Sequence, residues 1–361
     1  MMTMRRLLVC GLILNLSMAI CNADDFRDLF NRRDLSGWVY VNTPPDTWSV
    51  QEGMLVCTGK PIGEIRTDRM YQNFIMEVEW RHLVPGGNAG IFVWADDLTA
   101  RGVPFHRGIE VQVLENAYGQ SRGHTTHGDI FPIHGATMDP ENGRGGSRAF
   151  PTEERSKASP EWNHYRIECR DGEISLAVNG KVVTRGRNCN PRKGYICLES
   201  EGGVVHYRNL RIQELPETPV SQELTAIADR GYKSLYSGLD LRGWTGAGAT
   251  AGWEVKDWVL SCSGGSDARA LESEAKMSAG GFLLDIRTSE STRAVTVCGF
   301  QLAEKLQPGK WRRLELRRTE QEIVCVLDGE EVARRELTGP TSLTLNAVGA
   351  VDFANLFARE N

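Results

Sequence analysis

Apolar and polar residues alternate in short runs along most of this chain: "FIMEVEW" from Phe74, "IEVQVL" from Ile109, "ISLAV" from Ile174 and "IVCVL" from Ile323. Each run is rich in Val and Ile and is bounded by Gly or polar turn residues, a pattern that predicts strands. Long helical periodicity is absent. Asn179-Gly180 and Asp328-Gly329 each separate two apolar runs. Both central residues of a type I′ turn need positive φ, which these residue types tolerate, so each pair predicts a tight hairpin.

The pattern is written twice. "FRDLFNRRDLSGW" from Phe26 shares Leu29, Asp34, Leu35, Gly37 and Trp38 with Leu235, Asp240, Leu241, Gly243 and Trp244 of "YKSLYSGLDLRGW". "WSVQEGMLVCTG" from Trp48 answers "WEVKDWVLSCSG" from Trp253, with Cys57 on Cys262, and "EWNHYRIECRDGEISLAVNGKVV" answers "KWRRLELRRTEQEIVCVLDGEEV". The closing runs "HYRNLRI" and "DFANLFA" complete both units. Between them lies "LPETPVSQELTAIADRG", a polar stretch with two prolines that reads as a linker. The expected architecture is all-β: two tandem jelly-roll β-sandwiches, over 24–215 and 232–361, joined by 216–231.

The amino terminus breaks the pattern. Arg5 and Arg6 precede an apolar run from Leu7 to Ile20, and Ala23 is a small residue before Asp24 and Asp25. This is the order of regions in an export signal, here 1–23, and the apolar run is short for a bilayer span. The expectation is a periplasmic or secreted protein without a membrane anchor. Lipid attachment at Cys21 is disfavoured by the bulky Ile20 before it. The remaining seven cysteines are an odd number, so at least one thiol stays free or bridges to another chain. Cys189 and Cys197 flank a turn and could pair, whereas Cys57 and Cys262 read as small buried apolar residues. A formal charge of -5, with no basic run at either end of the mature chain, argues against nucleic acid as a partner.

The two copies differ in their chemistry. All seven histidines lie in the first, which also holds a segment from about Gly86 to Ser159 with no counterpart in the second. Groups that the second copy does without belong to a site mounted on the fold. In "GIEVQVLENAYG" the acids Glu110 and Glu115 flank Gln112. Residues two apart on a strand share a face, so Glu110 and Gln112 point away from the core-facing Ile109, Val111 and Val113. Glu115 joins them only through a bulge. By the same rule Glu77, Glu79 and Arg81 share one face, as do Tyr195, Cys197, Glu199 and Glu201. The expectation is that these strands gather acids, an amide and an arginine on one surface. "HTTHGDIFPIHG" adds His124, His127, Asp129 and His134, residue types suited to proton transfer or metal binding. Its spacing specifies no metal site, although carboxylates and carbonyls could hold a hard cation such as calcium. Trp94, Phe105 and Tyr118 could stack on sugar rings or equally belong to the core.

Taken together, "LFNRRDLSGW", "EVEWR" followed by "GGNAGIFV", "EVQVLE", "HGDIFPIHGA" and "GYICLESEGGVVHYRNLRI" resemble the 3-keto-disaccharide hydrolase family of the concanavalin A-like superfamily. The second copy looks like a degenerate, non-catalytic relative. The resemblance implies action on carbohydrates whose C3 hydroxyl is oxidised to a ketone. Such a substrate can lose its C2 proton to a base and expel the C1 group, after which water adds. On that reading Glu110 or His134 is the base and Glu201 the acid. Arg81 or a bound cation polarises the C3 oxygen, while Asn88, Trp94, Gln112, His127, Asp129 and Glu199 contact substrate. Two alternatives stand beside it: an endo-β-glucanase using Glu110 and Glu115, which the amide at Gln112 disfavours, and a lectin-like binding module.

Overall fold

The computed structural model describes residues 26–246, 252–265, 267 and 269–360; the expected export signal lies outside them. Among the described residues the chain forms four antiparallel sheets, of nine, six, eight and five strands. The nine- and six-stranded sheets enclose one core, drawn from residues 30 to 212, and the eight- and five-stranded sheets enclose another, drawn from 236 to 356. Alternation explains how: in Phe74–His82, Met76, Val78 and Trp80 are buried while Glu77, Glu79 and Arg81 are half-buried on the outer side. Ile91, Val93, Ile109, Val111, Ile196 and Leu198 meet them from the six-stranded sheet.

The repeated sequence does the same structural work in both halves. The Trp38 indole donates to Leu29 O at 3.0 Å, and the Trp244 indole to Leu235 O at 3.2 Å. Each bond pins the opening turn, which accounts for the recurring Trp, while Leu29 and Leu235 recur because their side chains pack against the two cores. Both expected hairpins form, with positive φ at Asn179, Gly180, Asp328 and Gly329. Cys57 and Cys262 are buried, and every described cysteine is a free thiol. Cys189 and Cys197 do not pair: Cys189 lies in the core between the sheets, whereas Cys197 belongs to a separate cluster with Phe92 and Tyr195.

The loop 96–107 of the first half lies against the second half. Gly102 N donates to Asp285 Oδ2 at 2.8 Å, and Arg313 binds both Asp285 oxygens while reaching Thr99 O at 3.0 Å. Asn355 Nδ2 faces Ala100 O, Val103 O and Asp285 Oδ2. A Cβ on Gly102 would stand 2.3 Å from the Trp311 ring, so only glycine fits this approach. The stretch 216–231 is also fastened to that loop: Ile227 N donates to Asp96, and Arg230 forms a two-pronged pair with Asp97.

Candidate active site

The six-stranded sheet runs in the order Trp38–Val41, Gly63–Thr67, Tyr195–Ser200, Gly90–Ala95, Gly108–Gln112, Ile130–Ile133. Its pairing sets Gly90 opposite Gln112 and Phe92 opposite both Glu110 and Cys197. Glu110, Gln112 and Glu199 therefore share the face turned away from the core, with Gly90 between them. A Cβ on Gly90 would lie 2.9 Å from Glu110 Oε1 and 3.0 Å from Glu199 Oε2. The two carboxylates converge over the space that this glycine leaves free.

Glu110, Glu199 and Glu201 form one electrostatic unit. Burial pushes the Glu110 carboxyl up to about 8; Glu201 and Asp129 add to the shift, and Arg148 opposes it. Burial likewise raises Glu201 to about 7, against a hydrogen bond with Glu199. Glu199 is raised well above the ordinary range by burial and by Glu110 and Glu201. Carboxyls crowded out of water cannot all ionise, so they titrate as a set. The arrangement stores protons near neutrality and offers a base and an acid side by side.

A polar rim surrounds the three acids. Gln112 Nε2 donates to Asn88 Oδ1 at 3.0 Å, and Asn88 Nδ2 donates to Glu201. Arg148 Nη1 reaches Gln112 Oε1 at 3.4 Å and Asp129 Oδ2 at 3.1 Å, with its guanidinium 3.4 Å from the Phe131 ring centre. Asp129 is fixed from behind by the Thr125 amide and hydroxyl. Glu110 and Gln112 are buried, whereas Asn88, Arg148 and Glu201 remain partly open, so the site is reached past these three.

Other expected site residues lie elsewhere. Arg81 is on the outer face of the nine-stranded sheet, against His206 and the Trp162 ring. Alternation had assigned its face correctly but not its sheet. Trp94 is a core residue: it is wholly buried and its indole donates to Gln72 O at 2.8 Å. Its φ of 55° falls at a register shift that turns it inward. His127 organises a loop, accepting from Ser156 N and facing Gln120. Exposed His134 stacks on Phe105, just past the end of the strand carrying Phe131, the register partner of Glu110. Tyr118 packs edge-on against His124.

Glu115 accepts from the backbone amides of Gly86, Ala117 and Ser159 at 2.7, 2.7 and 2.9 Å. Burial would raise its carboxyl, but these three bonds outweigh it and hold it below the ordinary value. Glu115 is thus a loop anchor committed to its own backbone, and the glucanase pairing with Glu110 is not available.

Sequence reasoning passed over Arg148, Gly90 and a buried group one strand away. Glu64 carries a hydrogen bond with His106 Nδ1, and Cys197 Sγ lies 3.8 Å from the same nitrogen. Gly90 alone carried a signal, as the last glycine of "GGNAG". A separate cavity of about 490 Å³ sits at the seam between the halves, lined by Trp38, Tyr40, Tyr236 and Arg242 among others and by none of the three acids.

The first half is thus an all-β jelly-roll with acids and amides gathered on one sheet face. Residues 25–213 match the 3-keto-alpha-glucoside-1,2-lyase-like domain, and the chain belongs to that family. No curated protein matches the chain. Among solved structures, a protein from Parabacteroides distasonis provisionally classed as a glycosyl hydrolase is 20% identical, covering 53% of this chain and 94% of its own, with a TM-score of 0.41. A carbohydrate-binding module from Bacillus subtilis is 11% identical over 49% of this chain and 96% of its own, TM-score 0.37. A Bacillus licheniformis β-glucanase is 13% identical over 53% and 97%, TM-score 0.35.

Proposed function

We propose that the chain is an exported enzyme that cleaves 3-keto-glycosides by elimination followed by hydration. The observation that carries this reading is the convergence of buried Glu110 and Glu199 with partly open Glu201 on one sheet face, where burial raises all three carboxyls, with an amide where a fourth acid would otherwise stand. A C–H bond beside a ketone is a weak acid, and a carboxylate of raised pKa is a better-matched base for it. Glu110 takes the C2 proton, and the electron pair delocalises onto the C3 oxygen as an enolate. The enolate then expels the C1 oxygen, which receives its proton from Glu201. Water adds across the resulting double bond, returning a proton to C2 and a hydroxyl to C1.

Arg148, whose charge opposes the upward shift of Glu110, stabilises the enolate oxygen in place of Arg81. Gln112 and Asn88 offer neutral donors and acceptors to sugar hydroxyls, and Glu199 and Asp129 tune the charge of the pair. Residues 1–23, read as an export signal, send the activity to the periplasm or the medium. The test is to incubate the purified mature chain with a 3-keto disaccharide and its unoxidised parent, with and without chelator, and to measure released monosaccharide. Release from the keto form alone, lost in Glu110→Gln, is the expected result. Equal release from both substrates, or none from either, defeats the proposal.

A further inference from the structure

Glu64, His106 and Cys197 come from three segments: the strand Gly63–Thr67, the loop 96–107 and the strand Tyr195–Ser200. Their ligand atoms all lie within 4.8 Å of one another, and all three side chains are buried from solvent. A buried carboxylate is costly unless a charge or a full set of donors meets it. Here Glu64 Oε1 has no hydrogen-bond partner. Arg66, two residues along the same strand face, is already committed: it pairs with Asp229 at 3.0 Å and donates to Asp97 O and Thr67 O. The Glu64 charge is left without a cation of its own.

We propose that Glu64, His106 and Cys197 bind a zinc ion, distinct from the carboxylate site beside it. The donor set decides the metal. One thiolate, one imidazole and one carboxylate match the borderline-soft preference and low coordination number of zinc, whereas calcium and magnesium take oxygen ligands. The thiolate and carboxylate together cancel the charge of a divalent ion, so the buried group becomes neutral as a whole. Binding fastens the loop 96–107 to two strands of the site sheet, and the same loop grips Asp285 and Arg313 of the second half. Because the ligands are enclosed, the ion enters while the chain folds and is released on unfolding.

The full chain is produced in medium supplemented with zinc or, separately, with cobalt, and its metal content is measured after exhaustive dialysis. The expected result is about one zinc per chain, falling to about a tenth or less in Cys197→Ser and in His106→Ala. Cobalt-loaded protein should show the near-ultraviolet thiolate-to-cobalt band, kept in Cys57→Ser, which alters another buried thiol, and lost in Cys197→Ser. The wild-type measurements decide the matter even where a ligand variant does not fold. A folded wild-type chain without zinc, or a cobalt band unchanged by Cys197→Ser, overturns the assignment.

Discussion

The side-chain amide of Gln112 donates to Asn88 Oδ1 at 3.0 Å, and Asn88 passes the chain of bonds on to Glu201. A carboxylate at position 112 could not make the first bond, because an ionised acid only accepts. It would also add a negative charge to a face where three acids are already crowded. The amide is what lets Glu110 stay close to Glu201 without a further like-charged neighbour. Gln112→Glu should therefore lower kcat/KM for a 3-keto substrate by about 10- to 100-fold, the cost of one broken hydrogen bond to a charged network. Its rising pH limb should also move upward. Steady-state profiles of both forms decide the point, and an unchanged variant would refute the role given to Gln112.

The raised carboxyls make two pH predictions. Turnover needs one acid ionised and its partner protonated, so activity should rise as pH approaches 7 and fall beyond about 8, the two ionisations of the coupled pair, with the singly protonated form that has Glu110 ionised and Glu201 protonated doing the work. Stability follows from the sign of the shift. Glu110 has a folded-state pKa above its ordinary value, so its neutral form favours the fold. That contribution is complete below the ordinary carboxyl value near 4.5 and disappears as pH climbs to about 8. Glu110→Gln should consequently gain on the parent across this window, by on the order of 2 kcal/mol at its upper end. Denaturant titrations at several pH values test it; parallel stability curves would rule out a buried, neutral Glu110.

Gly90→Ala isolates the site from the fold. The new methyl would stand about 3 Å from oxygens of Glu110 and Glu199, both ends of flexible side chains that can move aside. Loss of turnover by about 10-fold or more, with stability within about 1 kcal/mol of the parent, is the expected pairing. A variant equally active would mean that the convergence over Gly90 is incidental.

What could be read from sequence was whatever depends on neighbours along the chain. Strand faces follow from alternation, so Ile109 and Val111 against Glu110 and Gln112 were legible, as were the two hairpins from their Asn-Gly and Asp-Gly pairs. Which sheet a strand joins depends on long-range pairing, and Arg81 was placed on the right face of a strand in the wrong sheet. Trp94 was misplaced by a local irregularity, since one residue in a left-handed conformation reverses the side to which it points. Arg148 and the Glu64–His106–Cys197 group come together only through tertiary contacts 19 to 91 residues apart, and no spacing rule reveals them.

Asp285 provides the clearest test of what the second half contributes. This wholly buried carboxylate accepts from Gly102 N, from Asn355 and from two nitrogens of Arg313. It joins the histidine-free half to the loop that carries Phe105 and His106. Removing it leaves a guanidinium and a backbone amide facing a void, a defect that costs about 3–5 kcal/mol. Asp285→Ala should therefore lower the thermal midpoint and loosen residues 96–107, read as faster amide exchange confined first to that loop. Turnover should fall although position 285 touches no acid of the site, because His106 sits beside Glu64, whose strand partner is Glu199. Asp285→Asn keeps the shape, and its remaining oxygen can still accept from Gly102 N and Arg313 Nη2 although the bond from Arg313 Nε is lost, so it should recover part of the loss. If both variants exchange and turn over like the parent, the second half is a passenger on the loop and not its support.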